Sequence, residues 1–524
     1  DYQSVPSDHP YTLLEGDDFF PELQVGRLSV STVAELQTVV AKVLRHEKNP
    51  YRADESWITR GLTVATNSNA PTCVDTERWV ANRMREMGFD EVVEAMYTGR
   101  PPYPPETQIA DAINQGVSLV SYRGWAQAEN GWGWRVPFVS DNVRVLNNTH
   151  TQPVVMSFVC QTGKYDVPAC FGEYWLRIGT PEAPRGAVAF IGNGEHWSHT
   201  RFNDAMAIGT FGSMRYEGLR RLGDVLLAAK MHLLTTFPSE IYDADGGRAE
   251  SVEYYFYVYT LLGDPEMEIM TGLPRPVSFV TPASVAAGTN LLSLAVADSA
   301  TLAPLVGARV GIVQGTTTLG CAYTGADGTA HVEFAGVMPG DPLTVTVTGT
   351  GLAAGQRQIV VDGSAAALTF DGLTVVDGGS GDSSGNGDAV ANPGERLELR
   401  VQVRNRGGGP VNDGRLSLAS LDGIDIITGE ATLPPVQPGA VATGTPAFVI
   451  DVPATAADAQ ILRFLLTARG AGETQVSSIQ VPVRAPELLI ENPSIGGDGI
   501  IEAGETAELL LTLRNDGSIG AAGI

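Results

Sequence analysis

Three short, uninterrupted apolar runs at residues 116–122 (GVSLVSY), 153–159 (PVVMSFV) and 186–191 (GAVAFI) restrict what this chain can fold into. A strand that is apolar at nearly every position must be covered on both faces, which is the situation of a parallel sheet between helix layers. Residues 62–65 read as another such strand. The segments 33–46, 76–87 and 171–178 carry the amphipathic period of covering helices. From Gln24 to about Thr271 the pattern is therefore α/β. In open α/β sheets ligands sit beyond the carboxyl ends of the strands, so chemistry is expected in segments 123–134, 160–166 and 192–201.

After Gly272-Leu273-Pro274 the helical period stops, and short strands with Gly-rich turns take over. The reading is four domains: the α/β domain at 1–273, a β-sandwich at 274–363, a β-sandwich repeat module at 364–486, and the start of a second module at 487–524. The repeat pairs Asp388 with Asp498, Glu395 with Glu505 and Asn405 with Asn515 at one constant offset. Both ends fall in mid-pattern, so a piece of a longer protein is expected. Sixty acidic residues against 34 Lys plus Arg give a net charge of -26, which excludes nucleic acid as a partner because a phosphate footprint needs a basic face. No stretch approaches the roughly 20 apolar residues of a membrane span.

Cys160 ends a buried strand and opens the polar turn Gln161-Thr162-Gly163-Lys164, where a nucleophile belongs; an inert structural thiol is the alternative. Cys73, Cys170 and Cys321 show no ligand spacing. Position along the chain sets aside His9 as far from any strand end, His46 and His232 as helical and His331 as part of the β half. His150, His196 and His199 stay as candidate bases, and the last two equally suit a solvated loop. Acidic turns at Asp17 and Asp18, at 241–247, and around Asp388 and Glu395 suit a structural Ca²⁺ or plain solvated turns; no cofactor is expected for catalysis. Trp125, Trp132 and Trp134 either wall a cleft or plug the sheet.

The run Ser7-Asp8-His9-Pro10-Tyr11, followed by Glu15-Gly16-Asp17-Asp18-Phe19-Phe20-Pro21-Glu22-Leu23-Gln24-Val25-Gly26-Arg27, resembles the gingipain-type cysteine peptidases. Segments 116–124, 157–160, 168–173 and Leu262-Gly263-Asp264-Pro265 match the same family in order. The resemblance implies a caspase-like α/β catalytic domain, partial at its N-terminus and followed by all-β Ig-like sandwich domains. It implies Cys160 as nucleophile, the backbone N–H groups of Gly124 and Cys160 as oxyanion donors, Trp197 beside the specificity pocket, and Asp75 as the acid selecting Arg or Lys. The family's catalytic His, in a Y-x-G-H-G turn, is here Trp125, which then lines the substrate site. Two readings follow. One is a secreted or cell-surface endopeptidase acting on protein or peptide through an acyl-enzyme, with His199 or His196 as base and anchoring through a C-terminal extension. The other is an inactive pseudopeptidase kept as a binding or structural module.

Overall fold

Strands buried on both faces organise the N-terminal part of the chain. In chain order they are β1 (Arg60–Thr66), β2 (Glu91–Tyr97), β3 (Leu119–Arg123), the two-residue pair β4 (Gly131–Trp132) and β5 (Phe138–Val139), β6 (Val154–Phe158), β7 (Ala189–Asn193) and β8 (Tyr259–Leu262). Six of them make one sheet in the order β2-β1-β3-β6-β7-β8, parallel except for β8, which runs antiparallel to β7. The helices are α1 (Val33–Lys48), α2 (Thr72–Glu86), α3 (Gln108–Gln115), α4 (Ser140–Arg144), α5 (Phe171–Arg177), α6 (Thr200–Gly212), α7 (Leu222–Thr236) and α8 (Val252–Val258).

The apolar runs have their reason in two cores. Along β6, Val154 and Met156 enter one core with Met84 of α2, Phe202 of α6 and Val225 of α7, while Val155 enters the other with Val39 of α1, Ile109 of α3 and Trp175 of α5. Successive side chains of a strand point to opposite faces, so no position in the run can be polar without burying the polar group. The same alternation holds for Leu119 and Val120 of β3, and for Ala189 and Phe190 of β7. Helix α1 begins at a reciprocal cap in which Thr32 Oγ1 accepts from Glu35 N–H at 3.2 Å and Glu35 Oε2 accepts from Thr32 N–H at 3.2 Å.

This computed structural model describes residues 5–67, 70–127, 130–168, 170–242, 251–363, 368–495, 504, 506 and 508–521. Its contacts divide into two compact units, 1–276 with 350–354, and 277–349 with 355–524. The second unit is all β. Among the described residues it holds two pairs of sheets, the second pair a five-stranded and a four-stranded sheet, and then a two-stranded ladder of 488–495 with 509–515. In the second pair, Leu397, Leu399, Val401 and Val403 alternate inward from one sheet to meet Leu416, Leu462, Phe464 and Ile479 of the other. The acidic residues Asp243, Asp245, Asp498 and Glu505 lie outside the described residues.

Candidate active site

Register fixes where the site lies. Arg123 stands opposite Phe158 at the carboxyl ends of neighbouring parallel strands, so Gly124 and Cys160 emerge side by side at that rim. The chain turns sharply after the thiol: Gln161 has φ +60, a left-handed conformation that costs a non-glycine residue roughly 1–2 kcal/mol. Three backbone bonds offset it, from Gln161 N–H to Glu195 O at 2.9 Å, Thr162 N–H to Cys160 O at 2.8 Å, and Gly163 N–H to Asn193 O at 2.9 Å. Cys160 is half-buried, and its Sγ lies 3.0 Å from Ser198 Oγ. Asn203 Nδ2 donates to the same Ser198 Oγ at 2.8 Å, and the buried Tyr259 hydroxyl donates to Asn203 Oδ1 at 2.6 Å.

Gly124 has φ +156, and a Cβ there would meet Thr66 Cγ2 at 2.4 Å and Tyr122 Oη at 2.8 Å, so only glycine fits. The N–H groups of Gly124 and Cys160 enter none of the backbone hydrogen bonds of the loops among the described residues. Two adjacent amide donors beside a thiol are what a tetrahedral oxyanion requires. Below them Arg123 is fully buried. Its Nε donates to Asp204 Oδ1 at 2.7 Å and its Nη1 to Phe158 O at 2.7 Å, and it forms an ion pair with Asp204 at 2.6 Å. Burial works against its charge, but Asp204 outweighs burial and holds the guanidinium protonated. Glu77 accepts from Ser121 Oγ at 2.7 Å, and burial pushes its carboxyl up to about 8.

Two of the candidate imidazoles, His196 and His199, are carried by the loop after β7 that also bears Ser198. His196 is exposed; its Nδ1 accepts from Gln161 Nε2 at 2.5 Å and its ring stands edge-on to Trp197 at 4.6 Å. His199 caps the start of α6, its N–H donating to Tyr255 Oη at 2.7 Å. The group at the thiol is the Ser198 hydroxyl. His150 lies before the opposite end of β6, 2.5 Å from Arg45 Nη1 and stacked on Tyr51. His9 is not remote from the strands as the sequence suggests: it is buried near β8 and lines a small cavity with Tyr259 and Leu261. Burial, with Lys230 nearby, lowers it to about 4, and its Nε2 is 2.9 Å from Phe19 O.

The tryptophans divide between the two expected roles. Trp132 and Trp134 are core plugs, Trp132 stacked on Tyr122 at 4.6 Å, whereas Trp125 is 53% exposed and its carbonyl accepts from the Tyr122 hydroxyl at 2.6 Å. Trp197 is 68% exposed. Asp75 does not line a walled pocket: its side chain is 75% exposed on the first turn of α2, 3.6 Å from Arg78. Cys73 and Cys170 are buried, and burial pushes the Cys170 thiol up to about 12, leaving it inert at neutral pH.

The carboxylates expected to hold calcium accept from backbone N–H groups of their own turns where their bonds are seen. Asp18 Oδ1 accepts from Phe20 N–H at 2.8 Å, while Asp17 is exposed. Asp388 Oδ1 accepts from Val390 N–H at 2.9 Å, and Glu395 accepts from the N–H groups of Asn386 and Asn392 at 3.0 and 3.1 Å. Among the described residues no three His, Cys, Asp or Glu side chains come together as a metal site.

Ser198, Asn203, Tyr259, Arg123 and Asp204 are absent from the residues that sequence reasoning singled out. For Arg123 a signal existed, a charge directly ending an apolar run. For the others, separations of 38 and 56 residues between bonded partners left none.

Comparison with known proteins bears on the family and the fold. Residues 1–270 match the sequence profile of Peptidase family C25. Gingipain R2 of Porphyromonas gingivalis (strain ATCC BAA-308 / W83) is 25% identical over 375 residues, covering 69% of this chain and 47% of the relative. Lys-gingipain HG66 of the same species is 25% identical over 344 residues, covering 62% of this chain and 19% of the relative. The chain thus spans about half or less of the length of these curated relatives. The solved structure of the Arg-specific cysteine proteinase gingipain R superposes with TM-score 0.59 at 22% identity, covering 69% of this chain and 80% of that one. A complex of the RgpB pro- and mature domains gives 0.60 at 21%, covering 69% and 82%. The likeness shows the fold: a caspase-like α/β sheet followed by β-rich structure.

Proposed function

The chain belongs to peptidase family C25, a family of cysteine peptidases, and on that premise we propose that it cleaves peptide bonds with Cys160 as the nucleophile. The observation that carries the reading is the strained turn at the carboxyl end of β6, which presents the half-buried Cys160 thiol at the rim of the sheet beside Gly124. In this reading the thiolate attacks the scissile carbonyl carbon, and the oxyanion that forms accepts from the N–H groups of Gly124 and Cys160. Collapse of the tetrahedral adduct expels the amine and leaves a thioester on Cys160, which water then hydrolyses.

The departing amine needs a proton. We assign His196 to supply it as an imidazolium, in which both ring nitrogens carry hydrogen and the Nδ1 contact with the Gln161 amide nitrogen has opened, with His199 as the alternative donor. Trp125 and Trp197 expose aromatic faces next to Gly124 and Ser198, and we assign them to substrate contact. Relatives are named for Arg and Lys specificity, but Asp75, the acid expected to select those residues here, faces solvent beside Arg78. The substrate library should therefore not be confined to basic residues. We place the activity outside the cell or at its surface, in keeping with the acidic, β-rich architecture of the chain.

A second reading, a pseudopeptidase that binds protein without cleaving it, is favoured by one observation: Trp125 stands where the family carries histidine. Turnover of a mixed-sequence fluorogenic peptide library by the intact chain and by Cys160→Ala separates the two. The peptidase reading expects turnover that falls at least about 1,000-fold in the variant. No turnover by the intact chain would retire it in favour of the binding module.

A further inference from the structure

We propose that Ser198 is a catalytic residue that takes over the thiolate-stabilising part of the role left vacant by the missing histidine, at the end of a hydrogen-bond relay running Tyr259, Asn203, Ser198, Cys160. The inference rests on Cys160 being the reactive thiol, and the direction of the relay is fixed from its buried end.

The Tyr259 phenol is buried, burial pushes its ionisation well above the ordinary tyrosine range so that it keeps its hydrogen, and the hydroxyl donates that hydrogen to Asn203 Oδ1. Its 2.6 Å contact is with Asn203, whose buried amide must offer its oxygen there. The other end of that amide is then the NH₂ group, and it donates to Ser198 Oγ at 2.8 Å. One lone pair of the serine oxygen is thereby occupied, and the hydroxyl hydrogen is left for the 3.0 Å contact with Cys160 Sγ. A hydrogen bond donated to sulfur favours the charged form of the thiol, because only the anion is a strong acceptor. When Cys160 ionises, its proton leaves to bulk water and the S–H bond is replaced by an O–H donation from Ser198; no electrons move. Serine cannot act as the base, so the relay prepares the nucleophile and does not protonate the leaving amine.

Three elements bring these groups together: the loop between β7 and α6 carries Ser198, the first turn of α6 carries Asn203, and β8 opens with Tyr259. Tyr259 and Asn203 are positioning residues, since neither touches the thiol. They aim Ser198 from the core outward, and Asn203 and Tyr259 are themselves almost fully buried.

The test is the rate of Cys160 alkylation by iodoacetamide from about pH 5 to 10, read by mass spectrometry on the peptide that carries Cys160, which keeps the exposed Cys321 out of the signal. Ser198→Ala is expected to slow alkylation about tenfold near pH 6.5 and to leave the rate near pH 10 unchanged, where any thiol is ionised. Ser198→Thr, which keeps the hydroxyl, should stay near the wild-type profile, and Tyr259→Phe should fall between the two. A Ser198→Ala profile superimposable on wild type, or one lowered equally at every pH, overturns the relay. A shifted profile in a chain that turns over no peptide upholds the relay and retires the peptidase reading instead.

Discussion

The rim at the ends of β3 and β6 and the acidic turn of the second unit look alike in sequence, both being short polar stretches that follow apolar strands. Their hydrogen bonding is opposite. In the acidic turn the carboxylates hold the backbone: Asp377 alone takes the N–H groups of Gly387, Asp388 and Ala389 at 3.0 to 3.1 Å, and Glu395 takes those of Asn386 and Asn392. At the rim a half-buried thiol faces a hydroxyl, and the N–H groups of Gly124 and Cys160 stand outside the loop hydrogen bonds. Carboxylates that tie up several backbone N–H groups serve the fold, whereas the rim is where the proposed peptidase chemistry is placed.

The largest expected effect concerns what supports the rim. Asp204→Ala removes the carboxylate paired with the buried Arg123 and leaves an uncompensated charge. Urea unfolding of the first unit should show a loss of about 3–5 kcal/mol. A loss below about 1 kcal/mol would mean that water reaches Arg123 and that the floor of the rim is not dry. In the acidic turn, Asp377→Ala orphans three backbone N–H groups, and the unfolding transition of the second unit should lose about 2–3 kcal/mol. If that variant is as stable as wild type, those bonds do not serve the fold.

A smaller effect comes from pH. The folded carboxyl of Glu77 titrates near 8, above its value in an unfolded chain, so the fold prefers the protonated form. Its contribution to stability is fully present below about pH 4.5 and is lost as pH rises through about 8. Stability of the first unit should therefore carry a downward slope between those values that Glu77→Gln removes. Differential scanning at stepped pH checks it, and an upward slope in wild type that persists in the variant would contradict it. The smallest effect is expected from calcium: because the turn carboxylates are already satisfied, millimolar Ca²⁺ should leave the melting of the second unit unchanged, and a clear rise would reopen that loop as a cation site.

Much of the sheet could be read from sequence, because burial on both faces leaves an unambiguous apolar run at β3, β6 and β7. The position of Cys160 at a strand end follows from the same pattern. The relay could not be read, since Ser198, Asn203 and Tyr259 meet only when the loop, α6 and β8 pack together, and no local spacing encodes that. The place of His9 is hidden for the same reason: a segment far from the strands in sequence folds back against β8. Trp132 and Trp134 could not be told from Trp125 because all three share one loop, and only packing assigns two of them to the core.

The central claim is that Cys160 forms a covalent bond with substrate carbonyl carbon, and the direct measurement is to quench the intact chain in acid during turnover of a peptide ester and weigh the peptide that carries Cys160. The expected result is a mass gain equal to the acyl group on that peptide, rising to a steady level and absent from Cys160→Ala. Substrate turnover with Cys160 unmodified at every time point, or an acyl group found on another residue, would contradict it.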